Sequence, residues 1–208
     1  MTKTFASRLA VFASGLLISF SAFAAGGGAT LQAVNDLSDR ASLQRGARLY
    51  MNYCAGCHSL KDMRYSRMAE DLGLTEDEVM KNLNFTGAKF GEQVQVSMPA
   101  AGGEKWFGKM PPDLSLISRV RGPDWIYTYL KSFYLDESRP LGWNNKLFPN
   151  ASMPNPLWEL QGLQNAEFGP VDPATGERHV EGLKVAQAGR QSAQEFDQTA
   201  RDITNFLE

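Results

Sequence analysis

The sequence predicts a mostly α-helical domain with long irregular loops. Three observations carry that expectation. Apolar residues recur at helical spacing near both ends of the chain, at Leu43, Ala47, Tyr50 and Cys54 and again at Phe196, Ala200, Ile203 and Leu207. The stretch between them is rich in glycine and proline, with six of the ten prolines falling between residues 136 and 190. The third observation is Cys54-Ala55-Gly56-Cys57-His58, which has the C-x-x-C-H attachment pattern of c-type haem. Loops this long inside one domain are functional or need a cofactor to pack against, and a haem supplies that surface.

The chemistry of the motif is specific. Two thiols three residues apart can each add across a haem vinyl group, and the adjacent His58 is carried beneath the iron as its proximal ligand. A structural zinc site wants about four protein ligands, but the chain has two cysteines and two histidines, the second being His179. A thioredoxin-like pair opens a helix after a strand, whereas this pair closes a helical pattern. One covalently attached haem c is therefore expected, and no cysteine is left for a disulfide framework.

Residues 1–24 have the form of a secretory signal peptide. Lys3 and Arg8 give a positive start, Leu9 to Phe20 an apolar centre, and Ala22-Phe23-Ala24 a cleavage site. The apolar run is too short to cross roughly 30 Å of hydrocarbon as an anchor. The remaining residues, 25–208, suit one domain, and 43% hydrophobic residues suffice for a core. Loss of Lys3 and Arg8 leaves 19 of the 21 basic residues against 23 acidic ones. That negative balance argues against nucleic acid and permits a basic protein partner.

The first helix is expected from about Ser42 to Ala55, delivering the cysteines on its buried face. Gly46 lies on the same side as Tyr50 and permits close approach of another helix. Ser192-Ala193-Gln194-Glu195 is a capping box that opens the last helix. A second box, Thr75-Glu76-Asp77-Glu78, starts a short helix through about Leu83. Residues 84–122 read as mostly loop. Gly122-Pro123-Asp124 then opens a helix with Trp125, Ile126, Tyr129, Leu130 and Phe133 as its apolar face, and residues 136–190 read as irregular.

The sixth iron ligand decides the redox chemistry, because a thioether raises the potential whereas an open position implies ligand binding. Met98, Met110 and Met153 are candidates, each followed by proline. Spacing from the motif favours Met110 or Met98. His179 reads as an exposed loop residue. Sequence physics leaves the choice open.

Pairing of an N-terminal with a C-terminal helix beside the haem looks like the core of class I cytochromes c. Met110-Pro111-Pro112-Asp113-Leu114-Ser115, with Arg119 four residues on, resembles a segment of the cytochrome c1 family. Asn150-Ala151-Ser152-Met153-Pro154, followed by Leu157-Trp158-Glu159-Leu160, resembles that family's axial-methionine loop, and the terminal helix resembles the one leading into its membrane anchor. The resemblance spans about residues 38 to 208. It implies a class I cytochrome c-like fold enlarged by loops, with Cys54 and Cys57 attached to haem and His58 and Met153 as axial ligands. It also implies that Arg119 pairs with a haem propionate and that Pro111 and Pro112 line the pocket.

The same resemblance implies an electron-transfer subunit of the bacterial cytochrome bc1 complex, on the periplasmic side of the inner membrane. It would take an electron from the Rieske iron–sulfur protein and pass it to a soluble cytochrome c, with cytochrome b handling the quinol. Such a subunit needs no general acid, base or nucleophile of its own. The family continues into a membrane anchor, so the expectation is that an anchor segment after Glu208 is missing from this sequence. Glu70-Asp71 and Glu76-Asp77-Glu78 are candidates for steering a basic cytochrome, weighed against solvated helix faces. A free periplasmic monohaem carrier and a haem sensor or enzyme with an open iron site are the competing readings.

Overall fold

The computed structural model describes residues 29–208; the expected signal peptide lies outside the described residues. Eight helices and three two-stranded antiparallel sheets are present among them.

Helix α1, Arg40–Tyr53, starts where the Asp39 carboxylate accepts the Ser42 N–H, and it buries Ser42, Gly46, Ala47, Tyr50 and Met51. The last helix in the chain, Ala193–Leu207 (α8 in order), starts at the expected capping box, with Ser192 and Glu195 satisfying each other's backbone N–H groups. Phe196, Ala200 and Ile203 of its apolar stripe are buried. The two helices cross at Gly46, where a Cβ atom would overlap the Asp202 carbonyl oxygen and sit 2.7 Å from Phe206 Cβ. A polar clamp surrounds the crossing. The buried Asp202 carboxylate accepts from the Ser42 hydroxyl at 2.7 Å, from Gln198, and from the Arg45 guanidinium at both oxygens.

Helices α2 (Tyr65–Leu72) and α3 (Glu76–Asn82) follow the haem motif and build one hydrophobic core with α1, centred on Tyr50, Tyr65, Met68 and Val79. Thr75 and Glu78 form the expected capping box of α3. A second core joins α8 to α6, Pro123–Lys131, and α7, Trp158–Gln161, through Ile126, Leu130, Leu157, Leu160, Ala200 and Ile203. Tyr53 and Leu207 pack against both cores. Fully burying one such large side chain contributes roughly 1.5–3 kcal/mol. Asp197 of α8 receives Lys131 and Tyr127 of α6, together with Arg201 of its own helix.

Two stretches read as loop are more regular than expected. Residues 84–122 contain β2 (Gln93–Val94), paired with β1 (Leu60–Arg64), and the helices α4, Ala100–Phe107, and α5, Ile117–Arg121. Helix α4 holds two glycines, a composition with poor helix propensity. Tertiary packing overrides it, since Gly103 is buried where a Cβ would meet Met110 Sδ at 2.7 Å. Residues 136–190 contain β4 (Trp143–Asn145), paired with β3 (Phe133–Leu135), and the long hairpin of β5 (Gly162–Val171) and β6 (Arg178–Ala188). Most residues of that hairpin are exposed, so no apolar alternation marks it. Its turn is legible in Asp172-Pro173-Ala174-Thr175-Gly176, where Gly176 takes a φ of 73° and donates to the Asp172 carbonyl at 2.8 Å. No helix among the described residues is long and apolar enough to cross a membrane.

The crossing yields a direct test. Gly46→Ala is expected to cost about 2 kcal/mol or more through overpacking against a backbone carbonyl. Gly56→Ala, which meets nothing within 4 Å, serves as the near-neutral control. Thermal melting of the two variants, with the Gly46 variant lower by several degrees, checks it; equal melting temperatures would refute the close-contact account.

Candidate haem site

The site begins at the C-terminal end of α1. The N–H groups of Cys57 and His58 both bond to the Cys54 carbonyl, at 3.0 and 2.9 Å. This tight turn brings both thiols and the imidazole to one cleft. Burial and the neighbouring Cys57 push the Cys54 thiol up to about 12, and burial raises Cys57 as well. Before haem attachment both sulfurs are therefore neutral thiols at pH 7.

His58 is buried, and its Nδ1 lies 2.7 Å from the Pro112 carbonyl. A carbonyl only accepts, so Nδ1 carries the proton and Nε2 keeps its lone pair for a metal. Burial holds the imidazole below its ordinary pKa, against the opposing pull of the Pro112 carbonyl and Asp113. The backbone behind it is tied down. Tyr50 donates to the His58 carbonyl at 2.8 Å, Leu114 N–H to the Ser59 carbonyl at 2.9 Å, and Lys61 N–H to the Asp113 carboxylate at 2.8 Å. The Pro111-to-Ser115 segment thus aims the histidine through the Pro112 carbonyl on its Nδ1, as a carbonyl commonly does for a metal-binding imidazole.

The methionine loop forms another wall, and asparagines organise it. Fully buried Asn145 donates to the Tyr129 carbonyl at 2.9 Å and accepts from the N–H groups of Leu147 and Phe148. Asn144 accepts from Asn150 N–H at 2.8 Å, and Asn150 itself adopts a left-handed φ of 64°, a conformation asparagine tolerates. Asn155, also buried, accepts from Leu157 N–H and donates to the Gln161 side chain at 2.7 Å. Met153 lies between these fixed points and is followed by Pro154 and Pro156.

The cleft enclosed by these segments has a volume of about 320 Å³ and a mainly apolar lining, within the range of small-molecule and cofactor sites. Cys54, Cys57, His58, Met153, Pro111 and Pro112 all line it. Met110 and Met98 do not; the Met110 sulfur is packed beside Gly103 instead. His179 is exposed on β6. Arg119 is exposed and outside the lining, whereas Arg121, two residues on, is part of it. The Arg121 guanidinium sits 4.9 Å from the Trp125 ring and 5.6 Å from that of Phe148. The four-residue spacing of Arg121 and Trp125 across the start of α6 was the available signal for it. A thiol pair at a helix end, a neutral imidazole with a free lone pair, a thioether, apolar walls and a cation form a donor set that fits a c-type haem.

Comparison with known proteins agrees. A profile described as the Cytochrome C1 family matches residues 31–98. The chain is 51% identical to cytochrome c1 of Allochromatium vinosum over 202 residues, which cover 96% of this chain and 83% of that protein. It is 40% identical to a Nitrosomonas europaea protein named ammonia monooxygenase gamma subunit, over 83% of this chain and 69% of that protein. It is 30% identical to a mitochondrial cytochrome c1 haem protein of Arabidopsis thaliana, over 81% and 55%.

Proposed function

The chain belongs to the cytochrome c1 family, and from that membership we propose that it is the haem c electron-transfer subunit of a bacterial cytochrome bc1 complex. It carries one covalently attached haem c. Bound there, the haem supplies a one-electron ferric–ferrous couple. Cys54 and Cys57 would hold it through thioether bonds, and His58 Nε2 and the Met153 sulfur would ligate its iron. The observation that carries this reading is that His58, with its Nε2 lone pair free, shares a cleft with Met153 and with neither other candidate methionine. Pro112 orients the histidine through its carbonyl, and Pro111 closes the wall beside it. The propionate role expected of Arg119 passes to Arg121, whose guanidinium lines the cleft.

In the assembled complex the subunit stands on the periplasmic side of the inner membrane, exported by residues 1–24 and held with cytochrome b. It receives an electron from the Rieske iron–sulfur protein and passes it to a soluble cytochrome c, whose basic surface suits the acidic balance of this chain. The name of the N. europaea relative points instead to an oxygenase assembly. Two protein ligands to the iron favour electron transfer over reaction at the metal, because no coordination site then remains open.

Met153→Leu should abolish the sulfur-to-iron charge-transfer band, let the ferrous form bind carbon monoxide, and lower the potential by well over the ~59 mV that marks a tenfold change for one electron. Met110→Leu should do none of this. The opposite pattern would move the ligand to Met110, and carbon monoxide binding by the wild type would favour the oxygenase-like reading.

Arg121→Ala should leave haem attachment intact, shift the potential and lower the melting temperature by several degrees, because a partly buried carboxylate loses its charged partner. Arg119→Ala should stay within about 0.5 kcal/mol of wild type. Potentiometry and melting of the two variants side by side decide between the arginines.

The assembly is tested in cells. Removing the chain should abolish quinol–cytochrome c reductase activity in membranes, and its haem-stained band should co-purify with cytochrome b. Full reductase activity in membranes lacking it would leave the free carrier as the reading.

A further inference from the structure

We propose that the Tyr129 hydroxyl donates a hydrogen bond to the Met153 sulfur and so tunes the potential of the haem, acting as a positioning residue on the axial ligand. The inference rests on Met153 being that ligand, as argued above. Tyr129 Oη lies 3.6 Å from Met153 Sδ, within reach of a hydrogen bond to sulfur, and no other partner is found for this hydroxyl among the described residues.

The donor is held on every side. Its ring stacks on Trp125 at 4.9 Å with only 10° between the planes, and meets Phe133 edge-on at 5.0 Å. Its carbonyl is held by Asn145, the same residue that gathers the N–H groups of Leu147 and Phe148 at the start of the methionine loop. One buried asparagine therefore registers the donor's backbone against the segment that leads to the acceptor. Met153 also keeps its place through the Asn155 turn that follows it.

A thioether sulfur has two lone pairs. If one is given to iron, the other is free to accept a proton donor. A hydrogen bond there withdraws electron density from the sulfur and weakens its donation. Ferric iron, the stronger Lewis acid, loses more by this than ferrous iron, so the hydroxyl raises the potential. The net effect of one such bond corresponds to about a three- to tenfold change in an equilibrium constant, or roughly 28–59 mV for one electron.

The test is Tyr129→Phe in the haem-loaded protein, since the phenyl ring preserves both aromatic contacts. The charge-transfer band of Met ligation should persist, the midpoint potential should fall by that amount, and imidazole should displace the sulfur from ferric iron several-fold less readily. A monofluorotyrosine at position 129, a stronger donor of nearly the same shape, should move the potential upward at a pH where it stays protonated. In a Met153→Leu background the Tyr129→Phe shift should vanish. An unchanged potential with the band intact, or an equal shift in both backgrounds, overturns the inference. Persistence of the band in Met153→Leu alone means instead that the ligand reading has failed.

Discussion

The missing Cβ of Gly46 is the constraint on which the rest of this structure depends. Because nothing projects there, α8 passes over α1 with its Asp202 backbone in contact, and Asp202 can turn its carboxylate into the polar clamp of Ser42, Arg45 and Gln198. That crossing fixes the direction in which α1 ends. The end of α1 is where the two thiols and His58 emerge, so the contact between two helices aims the residues of the site. The same helix α8 carries Ile203 and Leu207 into the cleft lining, making one element both the brace and part of the pocket wall.

The remainder of the cleft is assembled by segments that possess little regular structure and are ordered by polar side chains. The Pro111-to-Ser115 segment is laced to the residues after the motif by Asp113 and Ser115, and it ends up presenting one carbonyl to one imidazole nitrogen. The methionine loop depends on Asn144, Asn145 and Asn155, each of which satisfies backbone groups that a strand or helix would otherwise have paired. Buried asparagines of this kind are costly unless fully used, and here their bonds convert a proline-rich loop into a rigid support.

This division explains how a small electron-transfer domain tolerates such long connections. Both hydrophobic cores reach the cleft lining, through Cys54 of one and Ile126, Leu130 and Ile203 of the other, and they are joined through Tyr53 and Leu207. A flat, largely apolar cofactor bound in the cleft would complete a continuous interior. The aromatic column of Trp125 and Tyr129 on α6 and Phe133 on β3, capped by Arg121, runs from the cleft lining to the start of the β3–β4 sheet. It links the packing of the fold to the lining of the cleft.

Much of this was determined by sequence alone. The pentapeptide from Cys54 to His58 states its chemistry because covalent attachment demands those residues at that spacing. Both capping boxes and the Gly46 approach were legible because helix ends and helix contacts are governed by local rules. What the chain could not state locally was left to tertiary structure. The identity of the arginine on the cleft depended on which way a five-residue helix turned, so Arg121 rather than Arg119 faces it. The helix at Ala100–Phe107 forms against the propensity of its glycines because Met110 and Pro111 need a surface without side chains. The hairpin of β5 and β6 is exposed and so carries no alternation to read. Met153 and Met110 are alike in sequence, each a methionine before a proline. Local physics does not separate them; the family resemblance singles out Met153, and tertiary packing puts Met110 against Gly103 and Met153 into the cleft through contacts far apart along the chain.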